Sequence, residues 1–155
     1  MATRSTISLK INESDKGKMF KFDENKLPEG VGYEKDHIDL LSSIMIEKDY
    51  LTIYHHWDGY PDGVGATLLD KFNDYDSILN LMLGGDASTI NGNTIVQYTA
   101  WRGETGCEAR QNNAEPSVTE EYAYLFKDGK WYFKDDCEIN KWTDLEEYLA
   151  KFGGE

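Results

Sequence analysis

The most chemically capable stretch of the chain is Tyr54-His55-His56-Trp57-Asp58-Gly59-Tyr60-Pro61-Asp62-Gly63-Val64-Gly65. Residues 50–55 are β-branched and aromatic, which suits a central strand. The Gly, Pro and Asp cluster must then turn the chain before Val64, Leu68, Leu69 and Phe72 resume at helical spacing. A helix that begins at such a turn offers unpaired N–H groups and the positive end of its dipole, a setting receptive to an anion or phosphate. On this reading Asp62 is the helix N-cap, and His56, Asp58, Gly59, Tyr60, Gly63 and Gly65 contact the ligand. The competing reading is that the glycines only make the turn and that Asp62 satisfies those amides itself.

Arginine is scarce, with only Arg4, Arg102 and Arg110, and two of the three lie in the segment 101–110 beginning at Trp101. Arg grips phosphate or carboxylate in bidentate fashion, so Trp101 and Arg102 folded over residues 58–65 would complete an anion pocket. Alternatively Arg102 and Arg110 pair with some of the 29 acids. Hydrolysis would need a titratable pair in a cleft, and His56 with Asp58 or Glu104 are the candidates for acid/base roles. No GxSxG elbow, P-loop or HExxH motif is present.

A metal held by His55, His56 and Asp58 meets a geometric obstacle. Successive strand residues point to opposite faces, so both histidines reach one ion only if the strand has already bent. His37 is the one other histidine and lies far away in sequence. No metal and no cofactor are therefore expected; one histidine should pack in the core on a backbone partner and the other should be half exposed. Cys107 and Cys137 form no CxxC or Cys/His cluster and are expected as free thiols, and Cys107 has no flanking pattern of a nucleophile.

Composition bounds the rest. The chain has 155 residues, 16 Lys+Arg against 29 Asp+Glu, and a formal charge of −13. One domain is the expectation for residues 1–155, with the polar, Gly-containing stretch 23–49 as an insertion. Its aromatics, 10 Tyr, 6 Phe and 4 Trp, compensate a modest aliphatic content and argue against intrinsic disorder. No run of about 18 apolar residues exists, and the first residues lead into polar alternation, so a cytoplasmic protein without a membrane partner is expected. The charge disfavours direct nucleic-acid binding. An acidic inhibitor that mimics nucleic acid is an alternative, with acids grouped at Asp70, Asp74 and Asp76 and at Asp135, Asp136 and Glu138.

The elements that must position these residues can be read in order. Residues 6–11 and 18–22 alternate around Ser14-Asp15-Lys16-Gly17, which predicts an opening hairpin. Ile38, Leu40, Leu41, Ile44, Met45 and Ile46 predict a helix. Helical spacing covers 64–72 and then 78–83, the second entered at Asp74 or Asp76 and stopped by Gly84-Gly85. Residues 94–98 read as a strand and 102–118 as a long loop. Residues 122–133 form two aromatic strands joined at Asp128-Gly129, as a type I′ hairpin requires. Thr143 with Glu146 predicts a capped terminal helix. The fold class is α+β, an antiparallel sheet with helices packed on one face.

The residues Met1-Ala2-Thr3-Arg4-Ser5-Thr6-Ile7, the run from His56 to Gly65, Leu83-Gly84-Gly85-Asp86-Ala87-Ser88 and Glu120-Glu121-Tyr122-Ala123-Tyr124-Leu125-Phe126 together resemble a family of small proteins of tailed phages, prophages and gut-bacterial genomes. The resemblance leaves out 23–49. It departs at Tyr98-Thr99-Ala100-Trp101-Arg102-Gly103-Glu104, where relatives carry a second His-Arg, which removes a partner histidine from any catalytic pairing. It implies a phage or mobile-element accessory protein in a bacterial cytoplasm and supplies no reaction. The function expected first is a non-enzymatic binding module, monomeric or homodimeric, for an anionic small molecule or a host protein; a hydrolase and the acidic mimic are the alternatives.

Overall fold

A computed structural model describes residues 2–31, 43–92, 94–100, 104–136 and 141–153. In chain order the described strands are β1 (Ser5–Lys10), β2 (Lys18–Phe20), β3 (Ile44–Ile46), β4 (Tyr50–His55), β5 (Ala87–Asn91), β6 (Thr94–Gln97), β7 (Arg110–Asn112), β8 (Tyr122–Lys127), β9 (Lys130–Asp135) and β10 (Thr143–Asp144). Helices α1 (Ala66–Lys71) and α2 (Tyr75–Leu83) lie between β4 and β5, and α3 (Leu145–Tyr148) follows β10. The main sheet runs β10-β9-β8-β1-β4-β5-β6, with β7 added beside the first half of β4.

The α+β class stands, and the sheet is mixed: β1 pairs parallel with β8, and β4 meets β5 in parallel at His55 and Ala87. The expected opening hairpin does not form. The turn is there, with Gly17 donating its N–H to Ile46 O, but it delivers β2 to β3, because both edges of β1 are occupied by β4 and β8. Ile7, Ser8 and Leu9 are all fully buried, so β1 is a central strand whose alternation conceals that its polar face is covered too. The helix expected across 38–46 is also corrected: Ile44–Ile46 is a strand, its Met45 opposite Met19 and exposed, while residues 32–42 lie outside the described residues.

Register assigns the two faces. Ile7, Leu9, Leu51, Ile53, Tyr124, Phe126, Trp131 and Phe133 share one face, and Leu68, Phe72, Ile78, Leu81, Met82 and Leu145 from the helices join them in a single core. Trp131 seats its indole N–H on Phe72 O at 2.8 Å. The opposite face is rich in hydroxyls, with Thr6, Ser8, Thr52 and Tyr54 in adjacent positions of β1 and β4.

Local signals hold where the contacts are local. Asp74 caps α2 by accepting the Ser77 N–H, and Asp128 and Gly129 take φ of 55° and 82° in the β8–β9 turn. The terminal cap shifts by one residue, since Thr143 pairs with Phe133 and it is Asp144 that accepts the Glu147 N–H at 3.0 Å. Asp23, where the polar stretch begins, is tied to the body through Asn80, whose amide both accepts the Asp23 N–H at 2.8 Å and donates to Asp23 O at 2.9 Å. Asn80 is buried, so Asn80→Ala should cost about 2 kcal/mol by orphaning two backbone groups. Urea unfolding measures this, and a loss under about 0.5 kcal/mol contradicts the tie.

Candidate functional site

At the end of β4 the chain turns through Asp58, which has φ +57°, a left-handed conformation that Asp tolerates better than most residues. Its backbone is held from several directions. Gly59 donates its N–H to Thr3 O at 2.8 Å, and the Tyr124 hydroxyl donates to Gly59 O at 2.7 Å. Val64 donates to Asp58 O at 2.8 Å, and the N–H groups of Gly63 and Gly65 both go to Tyr60 O, at 2.9 and 3.5 Å. Upstream, His56 and Trp57 donate to Ala87 O and Ser88 O. These bonds take up the Gly59, Gly63, Val64 and Gly65 amides, four of those that the sequence offers to an anion.

The glycines serve approach within the protein, not approach to a ligand. A Cβ on Gly59 would lie 2.7 Å from Thr3 O and 2.9 Å from Ser5 Cβ, and one on Gly63 would lie 2.4 Å from Asp58 O. Gly65 packs beneath Tyr124 and Leu145. The N-cap expectation for Asp62 is corrected as well: Pro61–Gly65 winds as a wide π-type turn capped by the Tyr60 backbone, and Asp62 is exposed. Pro61 supplies its fixed φ and has no N–H to satisfy there.

The two histidines divide as their strand position requires. His55 is fully buried, with Nε2 accepting the Ile90 N–H at 3.0 Å. The ring proton therefore sits on Nδ1, which donates toward Ser5 Oγ at 3.4 Å. Burial, assisted by the neighbouring His56, pushes His55 down to about 3, so it stays neutral. His56 lies on the other face, half buried, with Nδ1 2.7 Å from the Tyr54 hydroxyl and its ring edge-on to Trp57.

What the corner presents outward is aromatic and acidic. Trp57 is 46% and Tyr60 37% exposed, and Asp58 and Asp62 are exposed beside them. Tyr60 donates its hydroxyl to Asp58 Oδ1 at 3.3 Å. The Asp58 carboxylate, with burial and then Asp62 adding less, raises the Tyr60 phenol above its ordinary value, the signature of a negative local potential.

The hydrolytic grouping is not assembled by these contacts: His56 engages Tyr54, Asp58 engages Tyr60, and the Glu104 N–H donates to Tyr98 O. No group of three His, Cys, Asp or Glu side chains able to hold a metal occurs among the described residues. Cys107 is a free, half-buried thiol held above its ordinary value by burial first and by Asp86, Glu104 and Glu108 next, which suppresses nucleophilicity. Trp101 and Arg102 lie outside the described residues. Arg110 grips Asp86 with both guanidinium nitrogens, at 2.8 and 3.2 Å, and the same carboxylate accepts the Tyr54 N–H at 2.8 Å. Asp86, which carries no sequence signal as a lone Asp after two glycines, thus pins β4 to the start of β7.

His55 makes a pH prediction. Unfolded histidine titrates near 6.5, so the unfolded chain binds one more proton than the folded one between about pH 6.5 and pH 3. Stability from this group is complete above that window and falls as pH falls through it. Between pH 7 and pH 5 the native chain should lose about 2 kcal/mol more than His55→Gln in urea unfolding, and equal losses contradict the assignment. Compared with protein-family models, with curated proteins and with solved structures, the chain matches none, and the functional reading rests on the geometry above.

Proposed function

We propose that the protein is a non-enzymatic binding module that recognises a basic segment of another protein through the corner between β4 and α1. The observation that carries this reading is the pair of large aromatics, Trp57 and Tyr60, held outward on a turn whose Trp57, Gly59, Gly63, Val64 and Gly65 amides are bonded within the protein. Trp and Tyr are enriched among the residues that dominate binding energy, and a rigid anchor loses little entropy when it binds. Asp58 and Asp62 set the sign of the partner. A Lys or Arg side chain can lie on the indole face and reach a carboxylate at the same time. The chain's charge of −13 favours encounter with basic surfaces at a distance and disfavours a small anion at this corner.

A phage or mobile-element accessory role in a bacterial cytoplasm, as the resemblance implies, agrees with a small acidic binder directed at a host protein. No helix among the described residues is long and apolar enough to cross a membrane.

The test is a titration of ¹⁵N-labelled protein with Arg/Lys-rich, neutral and acidic peptides. Basic peptides should move the Trp57 indole and Tyr60 resonances and lose affinity with added salt. Trp57→Ala and Tyr60→Ala should each weaken binding at least about tenfold while changing stability by less than about 0.5 kcal/mol. Equal response to acidic peptides, or unchanged binding by both variants, overturns the reading.

A further inference from the structure

Histidine is the side chain that ordinarily gains its charge between about pH 8 and pH 5. Of the three in this chain, His55 is held neutral in the core and His37 lies outside the described residues. His56 is the described histidine that solvent reaches, and it stands directly against the exposed indole of Trp57. The two rings meet edge to face, with centroids 4.8 Å apart and planes at 88°. Their backbone is clamped to the start of β5, since His56 donates its N–H to Ala87 O at 3.1 Å and Trp57 donates to Ser88 O at 3.0 Å.

A proton on His56 changes the charge of this assembly without dismantling it. Residues two apart at the end of a strand share a face, and that spacing brings the Tyr54 hydroxyl 2.7 Å from His56 Nδ1. A hydroxyl both donates and accepts, so the bond survives when Nδ1 gains a proton and becomes the donor. Burial first, and Glu120 next, hold the Tyr54 phenol above its ordinary value, so it stays uncharged and does not neutralise an imidazolium. Arg4, Tyr98 and Glu121 act on the same phenol more weakly.

The carboxylates around the pair are engaged elsewhere. Arg4 lies 3.7 Å from Glu120 and 3.5 Å from Glu121, Arg110 grips Asp86 beside the Tyr54 N–H, and Asp58 accepts from Tyr60. Among the described residues Tyr54 makes the one side-chain hydrogen bond to the His56 ring. We infer that His56 is the positioning residue that makes this corner respond to pH: a proton on its ring sets a cation against the Trp57 indole, where the basic segment docks, and weakens that docking in acid. The inference rests on the basic-segment reading above. A Lys or Arg stacked on the indole stands within about 6 Å of the ring, hence no more than about 11 Å from His56. At low ionic strength the screening length exceeds that distance, and two like charges so placed change an equilibrium several-fold.

The experiment takes the full ¹⁵N-labelled chain from about pH 8 to pH 5 at about 20 mM salt, alone and with an Arg-rich peptide that contains no histidine. In the free chain the Trp57 indole resonance should move along the same curve as the His56 ring resonances. With peptide, the dissociation constant should rise at least about threefold between about pH 7.5 and pH 5.5. In His56→Gln, which keeps an acceptor for Tyr54, and in His56→Phe, which keeps a ring edge against Trp57, the ratio of the two constants should fall to about one. Any part of the loss that comes from Asp58 or Asp62 persists in both variants. A Trp57 indole that ignores pH, native binding that is equal at the two pH values, or variants that keep the native ratio overturns the role of His56. Absence of peptide binding at about pH 7.5 overturns the basic-segment reading and the docking effect with it, while the free-chain titration still decides whether His56 charges against Trp57.

Discussion

A backbone group removed from water must find a partner, and that constraint shapes the corner after β4 more than any other part of this protein. Gly59 is caught between the residues before β1 and the side chain of β8, its N–H on Thr3 O and its C=O on the Tyr124 hydroxyl. One step back, His55 joins β4 to β5 through the Ile90 N–H and approaches β1 through Ser5. Three strands are thereby fixed around one turn. The direction in which the chain leaves that turn decides where Val64, Leu68 and Phe72 fall, and all three are fully buried under the helix-side face of the sheet.

The same constraint separates what the corner does inside from what it shows outside. Residues drawn into the protein, namely His55, Gly59 and Gly65, have their chemistry used up by packing and hydrogen bonds. The left-handed Asp58 and the wide turn at Pro61–Gly65 leave Trp57 and Tyr60 on the surface with acids on either side. Strained conformations of this kind persist only where surrounding contacts over-determine them, and here those contacts are on both sides of the strained residue. A corner of this construction is suited to presenting side chains and poorly suited to yielding amides to a ligand.

The parts of the fold legible in the sequence are those set by neighbours in the chain. Asp128-Gly129 specifies its hairpin, Asp74 and Gly84-Gly85 bracket α2, and residues 50–55 read as the strand they form. Pairing over long distances was not legible. Nothing in residues 6–11 says that β8 rather than β2 lies beside them, and β5 escaped notice because Ala87 and Ser88 have little strand propensity and meet β4 at a single position. The site divides in the same way. The split of His55 and His56 follows from strand geometry alone, whereas the Tyr124 hydroxyl that closes the corner comes from 65 residues away, and Asp86 reaches Arg110 across 24. The Gly-rich run admits both an open and a filled reading, because sequence shows a missing side chain but not the neighbour that fills its place.

Native-state amide hydrogen exchange, read residue by residue, addresses the corner directly. If it is internally bonded and rigid, the Gly59 and Val64 amides exchange only through global unfolding, with protection close to that of Ile7 and Ile53 in the central strands. Exchange at those two amides on the timescale of exposed loop residues, under conditions where Ile7 and Ile53 stay protected, would contradict the account.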